Sequence, residues 1–356
     1  MIMNSFIDPL LRIRASQTKE QRCQSEVMER VRHAFVRTNR DTILRLLFDR
    51  LLADMTERRE HELPHDRENR LEANIMVVLG PSGAGKSTSL NRLFAEHPAT
   101  PGYRIRGSDC PLISVRAPSP CGVKELGRDV LLMTGYELKR RNLDGPEIWG
   151  IVRRRFRELG VVLLHIDELQ HAPQSLDIVE QKKLRNALKG LLVDIEHPVG
   201  LVVSGEPEVE AFLNPDRQST RRGRWLAFEQ LNKSADCAMV AGAVKGLAQV
   251  ADLEVRLDVE ADLVARLMHA GCDLLGITIE EVHDAIREAL AVGSTVLERR
   301  HFADAYALRT GNLPPWNPYL ADRWHEIDPT RVLVHCEPNP DDVVRAARPR
   351  RQRRSA

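Results

Sequence analysis

The chain has 356 residues, with 52 Lys and Arg against 51 Asp and Glu, 42% apolar residues and 4% aromatic residues. These values are typical of a globular protein of two or three domains and exclude a fibre or a simple repeat. No window approaches the roughly 20 apolar residues needed to cross a bilayer. We therefore expect a cytoplasmic protein without a membrane partner, in which the six scattered cysteines are reduced thiols.

Residues 1–72 are predicted to form a charged, helical N-terminal extension. Thr18 and Gln21 have the spacing of a capping box at the start of one helix. Asp41 is a candidate cap for a second helix, which has an apolar face. The polar stretch 56–69 then serves as a connector.

Residues 73–232 alternate short apolar runs with helical stretches, which is typical of a parallel sheet covered on both faces. The expected strands are residues 74–80, 111–117, 161–167, 200–205 and 224–231. The expected helices between them begin near Lys86, Val123, Pro146 and Ser175. The pattern predicts an α/β domain with a doubly wound, parallel, five-stranded sheet.

The strand pattern stops after residue 232. Helices are expected near residues 234–249, 259–269, 279–291 and 300–309, and they form a small helical domain over residues 233–311. Thr278 and Glu281 suggest a capping box at the start of the third of these helices. Residues 312–356 form a proline-rich segment followed by a basic tail, Arg345 to Arg354, which suggests a polyanionic or acidic partner.

A phosphate-binding loop follows the first predicted strand and opens the next helix, as the pattern G-x-x-x-x-G-K-[ST] requires. In such a loop the backbone N–H groups surround a phosphate, Lys86 neutralises its β and γ oxygens, and the Ser87 hydroxyl binds Mg²⁺. ATP and Mg²⁺ are therefore the expected cofactors. The residues predicted to bind the nucleotide are Gly80, Pro81, Ser82, Gly83, Ala84, Gly85, Lys86, Ser87 and Thr88.

Two carboxylates end the apolar run 161–167. Asp167 is predicted to bind the metal together with Ser87, and Glu168 is predicted to orient and activate the attacking water. His165 interrupts the same run, and we assign it no role because a histidine there is more often a satisfied core residue.

Two further predictions concern catalysis. Ser204, at the end of the fourth predicted strand, is expected to face the γ-phosphate, although a turn residue would have the same pattern. Four arginines are crowded just before the last predicted strand, and Arg221 or Arg222 is predicted to be an arginine finger that enters a neighbouring subunit's site. The alternative is a solvated loop.

These motifs, in this order, resemble an AAA+ P-loop NTPase over residues 40–310. Within that superfamily the chain is similar to the TniB/TnsC group of transposition ATPases, and the resemblance depends on the sequences VVLGPSGAGKST, LLHIDELQH, VVSGEPE, QSTRRGRW and CDLLGITIEEVHDAIREAL. The resemblance implies an N-terminal helical extension and a C-terminal helical lid around the α/β domain. One departure is Leu275-Gly276, where many AAA+ lids carry a sensor arginine, and it implies slow hydrolysis.

The same resemblance implies a nucleoid-associated ATPase that binds duplex DNA as a ring or filament of identical subunits. Its other partners would be a transposase and a target-selection protein, and ATP hydrolysis would take the assembly apart. The alternatives are a replication-initiator or clamp-loader-like ATPase, and a nucleotide-dependent switch acting on a protein partner.

A basic stretch between the second and third predicted strands is a candidate DNA-binding segment. Point charges of this kind contact phosphates without reading sequence, although a solvated helix face would have the same composition. Its residues are Lys124, Arg128, Lys139, Arg140 and Arg141. The basic tail is a second candidate for contact with DNA or a transposase.

Overall fold

The computed structural model describes residues 8–64, 69–105, 107–138, 140, 142–214, 223–256 and 262–334. Contacts divide the chain into two compact units, one of residues 37–230 and one that combines residues 1–36 with residues 231–356. The N-terminal helices are therefore shared between the two units. The domain boundaries predicted from the sequence, at residues 72, 232 and 311, stay a prediction.

Five parallel strands form the sheet of the first unit, which confirms the predicted fold class. They are β1 (Ile75–Leu79), β2 (Leu112–Arg116), β3 (Leu163–Asp167), β4 (Gly200–Gly205) and β5 (Gly223–Ala227). Their order is β2-β3-β4-β1-β5. Strand β1 pairs with β4 on one side and with β5 on the other. The phosphate-binding loop that follows β1 therefore lies at the carboxyl edge of the sheet, between the ends of β4 and β5.

Helices cover this sheet. Together with the two helices of the N-terminus they are, in chain order, α1 (Pro9–Ser16), α2 (Lys19–His33), α3 (Asn39–Met55), α4 (Lys86–Glu96), α5 (Val123–Met133), α6 (Gly145–Leu159), α7 (His171–Ser175), α8 (Ile178–Leu192) and α9 (Glu208–Leu213). Helices α3 to α9 belong to the first unit. Val77, Ile166, Trp149 and Phe156 are fully or almost fully buried in its core.

Local capping explains where several of these helices begin. The Thr18–Gln21 capping box is present at α2, as predicted. The prediction that Asp41 caps α3 is wrong, because Thr38 is the cap and its backbone N–H donates to Asp41 Oδ2 over 2.8 Å. Asp41 is therefore the second member of this capping box: its carboxylate accepts a hydrogen bond from the backbone N–H of the cap residue.

The second unit is helical, as predicted for the lid. It contains α1, α2, α10 (Cys237–Val250), α11 (Leu263–Ala270), α12 (Leu275–Ala291) and α13 (Arg299–Thr310), with a two-stranded parallel pair β6 (Glu254–Val255) and β7 (Val296–Leu297). Met28 and Val31 of α2 join the apolar core of this unit. This burial explains why α2 belongs with the lid helices.

Two details of this unit differ from expectation. Helix α12 begins at Leu275, so Thr278 lies inside it and does not cap it, while Glu281 is buried against Arg309. Over residues 312–334, the described part of the last segment, there are two single turns of 3-10 helix, and this part is anchored: Arg266 Nη1 donates to the carbonyls of Pro318 and Ala321 over 2.7 Å. The basic tail lies outside the described residues.

Within the described part of the chain, no helix is both long and apolar enough to span a bilayer.

Candidate nucleotide-binding site

The loop between β1 and α4 has the backbone shape that the phosphate-binding pattern predicts. Gly83 and Gly85 have φ values of +81° and +94°, in the left-handed region that glycine adopts at little cost. Gly85 directly precedes α4, so the first N–H groups of this helix, which have no intrahelical acceptor, face the loop. The arrangement provides donors and a positive helix end for an anion.

Gly80 fits where no larger residue would. A Cβ atom placed on Gly80 would lie 2.5 Å from the carbonyl oxygen of Phe228, while the Phe228 N–H donates to Leu79. The residue after β5 thus packs directly on the start of the loop. This contact fixes the first glycine of the motif by close packing, independently of its φ value.

Lys86 is 5% exposed, and its ammonium group contacts the backbone of the loop. Its Nζ donates to the carbonyl oxygens of Gly80 over 2.7 Å and of Pro81 over 2.9 Å. Burial lowers the pKa of Lys86, while the charges of Glu168, Asp167 and Glu206 act in the opposite direction. Lys86 is therefore a buried cation within electrostatic reach of three carboxylates.

Asp167 and Glu168 lie where β3 ends. Asp167 Oδ1 accepts from the Glu168 backbone N–H over 3.1 Å and from the Ser204 hydroxyl over 2.5 Å. Glu168 has a φ of +59°, a left-handed conformation that a non-glycine residue rarely adopts. Such strain is concentrated at functional sites, where the surrounding structure imposes it.

Gln170 holds the Glu168 carboxylate. Its Nε2 donates to Glu168 Oε2 over 2.6 Å, and its Oε1 accepts from the Glu206 backbone N–H over 3.2 Å. Gln170 is 4% exposed, so both bonds form away from bulk water. The side chain therefore connects the predicted water-activating carboxylate to the segment that follows β4.

Ser204 lies on β4, beside β1, in register with Val78. Its hydroxyl contacts Asp167 and also the ring of His165, whose Nε2 is 3.1 Å from Ser204 Oγ. The role predicted for Ser204, facing a γ-phosphate, stays a prediction. In this structure its hydroxyl interacts with the metal-binding candidate.

The donor set fits a nucleotide phosphate and Mg²⁺. Mg²⁺ prefers hard oxygen ligands, which the Ser87 hydroxyl and the carboxylates of Asp167 and Glu168 provide. A phosphate requires a cation, which the ammonium group of Lys86 provides. The described residues contain no cluster of three or more metal-binding side chains. Mg²⁺ does not need one, because it takes one or two carboxylates and completes its shell with phosphates and water.

Several residues that were predicted to have a function are not seen in this site. Arg221, Arg222, Lys139 and Arg141 lie outside the described residues. Lys124, on α5, and Arg140, between α5 and α6, are both exposed. The same helix carries the acidic residues Glu125 and Asp129, so α5 does not present a purely basic face.

Two residues of the site, Gln170 and Glu206, were not predicted from the sequence, and His165 was predicted to have no role. A signal for Gln170 was present, because a polar residue two positions after a strand-end carboxylate can turn back toward it. The contacts of His165 required knowledge of strand order, since its two partners are 51 and 39 residues away.

The chain has an AAA+ P-loop fold, with the phosphate-binding loop between β1 and α4. Residues 67–213 match the family model for an AAA domain, over less than half of the chain. A comparison with curated proteins found no match.

Solved structures of the same fold include the ORC1 protein of Aeropyrum pernix in complex with DNA (14% identity, TM-score 0.52, 76% of this chain and 64% of that chain). Cdc6p of Pyrobaculum aerophilum (12%, TM-score 0.52, 79% and 70%) and Drosophila ORC bound to DNA (12%, TM-score 0.50, 83% and 67%) are also similar. At these identities the likeness establishes the fold alone. The chain spans about two thirds of the length of each of these proteins.

Proposed function

We propose that this protein is a Mg²⁺-dependent ATPase that assembles on duplex DNA in its ATP-bound state. The observation that carries the proposal is that Lys86 follows β1 while Asp167 and Glu168 lie at the end of β3, at the same edge of the parallel sheet, where their charges interact. This is the set of charges that phosphoryl transfer uses.

The residues of the chain divide the work. Lys86 exchanges the carbonyls of Gly80 and Pro81 for phosphate oxygens, while the N–H groups before and within the first turn of α4 bind the same anion. Ser87 and Asp167 would hold Mg²⁺, which would supply positive charge to offset the charge of the transferred phosphoryl group. Glu168 orients the attacking water, in a position that Gln170 fixes.

The active site is completed by a neighbouring copy of the chain. An arginine of the segment before β5, Arg221 or Arg222, would enter the next subunit's site, and such residues contribute about 10³ to 10⁵ in rate in related systems. ATP would then join identical copies into a ring or filament. Weak phosphate contacts from many copies would add up by multivalency on DNA.

The finer proposal is a transposition regulator. It rests on the sequence resemblance to the TniB/TnsC group, and it assigns to the nucleoid-bound assembly a transposase and a target-selection protein as partners. The alternative is a replication initiator or related loader, which the fold shared with DNA-bound ORC proteins favours. Recruitment of a transposase, but not of a replicative helicase, to DNA coated by this protein would support the first function over the second.

Phosphate release tests the chemical part of the proposal. The wild-type protein should hydrolyse ATP only with Mg²⁺ and faster with duplex DNA, whereas Asp167→Asn and Glu168→Gln should lower the rate at least about 100-fold. Glu168→Gln should still bind ATP, because the lysine and the loop are intact. Full activity in Glu168→Gln would contradict the proposal, and ATPase activity indifferent to DNA would instead favour a nucleotide switch acting on a protein.

A further inference from the structure

Four polar side chains from three adjacent strands form a continuous line of hydrogen bonds beneath the proposed metal site. Ser114 Oγ on β2 is 2.7 Å from His165 Nδ1 on β3, and His165 Nε2 is 3.1 Å from Ser204 Oγ on β4. Ser204 Oγ is in turn 2.5 Å from Asp167 Oδ1. Strand register explains the line. Ser114 of β2 pairs directly with His165 of β3, and Asp167 lies two residues after His165 on β3, on the same face of the sheet.

The hydrogen bonds can run in one direction only. An ionised carboxylate accepts hydrogen bonds, so the single hydroxyl hydrogen of Ser204 is donated to Asp167. Ser204 Oγ must therefore accept from His165, which places the ring hydrogen on Nε2. Nδ1 is then an acceptor, and Ser114 donates to it. Every member of the line is fixed by the carboxylate at its end.

The surroundings hold the histidine in place. His165 is 1% exposed, and its ring makes an edge contact with Phe94 of α4 at 5.1 Å between centroids. The charged groups near it are Asp167 and Arg104. In a neutral ring one nitrogen carries the hydrogen and the other accepts.

We propose that Ser114 and His165 are positioning residues that act through Ser204 on the metal-binding carboxylate of Asp167. Within the described residues, both hydrogen bonds to this carboxylate reach Oδ1, one from Ser204 and one from the Glu168 N–H. Oδ2 is left available for a hydrated Mg²⁺. The inference rests on the proposed nucleotide function, because it assigns the line of hydrogen bonds to the metal that ATP brings.

Residues that orient a metal ligand without touching the metal have a measurable effect on metal affinity. Changing such a partner lowers metal affinity about 10- to 100-fold in other proteins. Ser114 is the most informative position, because it is three hydrogen bonds away from Asp167 and belongs to a different strand. Without its hydroxyl, the ring of His165 can take the other tautomer and compete for the hydrogen that Ser204 gives to Asp167.

The first test measures nucleotide binding against free Mg²⁺, using a fluorescent ATP analogue with the full-length protein. Ser114→Ala should raise the Mg²⁺ concentration for half-maximal binding about tenfold and leave binding in EDTA unchanged. Ser114→Thr, which keeps the hydroxyl on a strand-favouring residue, should restore the wild-type value. Thr100→Val is the matched control, because it removes another buried hydroxyl of the same unit, one that donates to the Phe94 carbonyl over 2.7 Å.

Equal Mg²⁺ dependence in wild type and Ser114→Ala would overturn the inference, as would an equal shift in Thr100→Val. A loss of binding in EDTA together with the shift would show a general structural role and would also overturn it. Failure of the wild-type protein to bind the analogue at any Mg²⁺ concentration would instead overturn the proposed nucleotide function.

A second test does not depend on nucleotide. Nitrogen-15 NMR of histidine-labelled protein, with His165 assigned by its loss in His165→Gln, should show a hydrogen on Nε2 and none on Nδ1. Ser114→Ala should broaden or change this pattern, whereas Thr100→Val should not. A ring protonated on Nδ1 in the wild-type protein would reverse the direction of the line and overturn the inference.

Discussion

Gln170 Nε2 donates a 2.6 Å hydrogen bond to Glu168 Oε2, and the two residues lie two positions apart at the carboxyl edge of the sheet. Because Gln170 Oε1 also accepts from the backbone of Glu206, the glutamate is connected to the segment that follows β4. The position of the proposed water-activating group is thus held by the Gln170 side chain.

Replacing Gln170 should impair turnover more than binding. Gln170→Ala removes the bond that holds Glu168, so we expect kcat for ATP hydrolysis to fall about tenfold, or about 1.4 kcal/mol, with KM changed by less than twofold. Steady-state ATPase kinetics measure both values. Gln174→Ala on α7, an exposed glutamine, is the control and should behave as wild type. Equal kcat in the two variants would show that the bond does not serve catalysis.

Glu281 of the helical unit should make stability depend on pH. Its side chain is 2% exposed, paired with Arg309 and 3.4 Å from the Tyr319 hydroxyl. Burial raises the pKa of Glu281 to about 7 despite Arg309, so between its unfolded value near 4.5 and 7 the native state binds the extra proton. Stability from this group is therefore greatest below pH 4.5 and is lost as the pH rises through 7, by up to about 3 kcal/mol.

Glu281→Gln should remove this dependence, because the carboxamide does not ionise. Denaturant unfolding at pH 5 and pH 8 should show that the advantage of wild type over Glu281→Gln is larger at pH 5. Glu280→Gln, at an exposed neighbouring position on the same helix, should leave the pH dependence unchanged. A wild-type protein that gains stability relative to Glu281→Gln from pH 5 to pH 8 would reverse the sign and show that the ion pair dominates.

The basic segment should control DNA binding and not nucleotide binding. Reversing Lys139, Arg140 and Arg141 to Glu should abolish ATP-dependent DNA binding at physiological salt, while a partial reversal should lower the salt slope of log K by about 0.9 for each phosphate that is no longer neutralised. Fluorescence anisotropy with labelled duplex DNA measures both. ATP affinity should not change, because none of the three residues belongs to the phosphate-binding motif, residues 80–88.

A reversal of equal charge elsewhere provides the control. Arg154, Lys182 and Lys245 are exposed basic residues outside the segment, and their replacement by Glu should retain most of the binding. Similar losses in the two triple variants would indicate a general charge effect, and unchanged binding in the first would remove the segment from the proposed interface.

Much of the fold follows from local patterns in the sequence. All five strands were expected, because buried parallel strands are short apolar runs, and α4 and α5 begin at Lys86 and Val123 as predicted. Capping was harder to place. Asp41 and Thr278 belong to residue types that cap helices, but Thr38 is the cap of α3 and Thr278 is buried within α12.

The site was predictable only where its residues are neighbours in sequence. The loop from Gly80 to Thr88 and the pair Asp167–Glu168 each belong to one contiguous motif. The line from Ser114 through His165 to Ser204 depends on β2, β3 and β4 being adjacent, a tertiary arrangement that no local pattern encodes. The association of α2 with the lid helices likewise depends on the long-range burial of Met28 and Val31.

We expect ATP held by Lys86 to join copies of this protein on DNA. Electron microscopy and sedimentation with plasmid DNA test it most directly, on wild type, Lys86→Ala and Glu168→Gln whose thermal unfolding has been checked. The wild-type protein should form DNA-bound oligomers with ATP but not with ADP. Glu168→Gln should form longer-lived oligomers, and Lys86→Ala should form none. Plasmids coated as fully by Lys86→Ala as by wild type would contradict it.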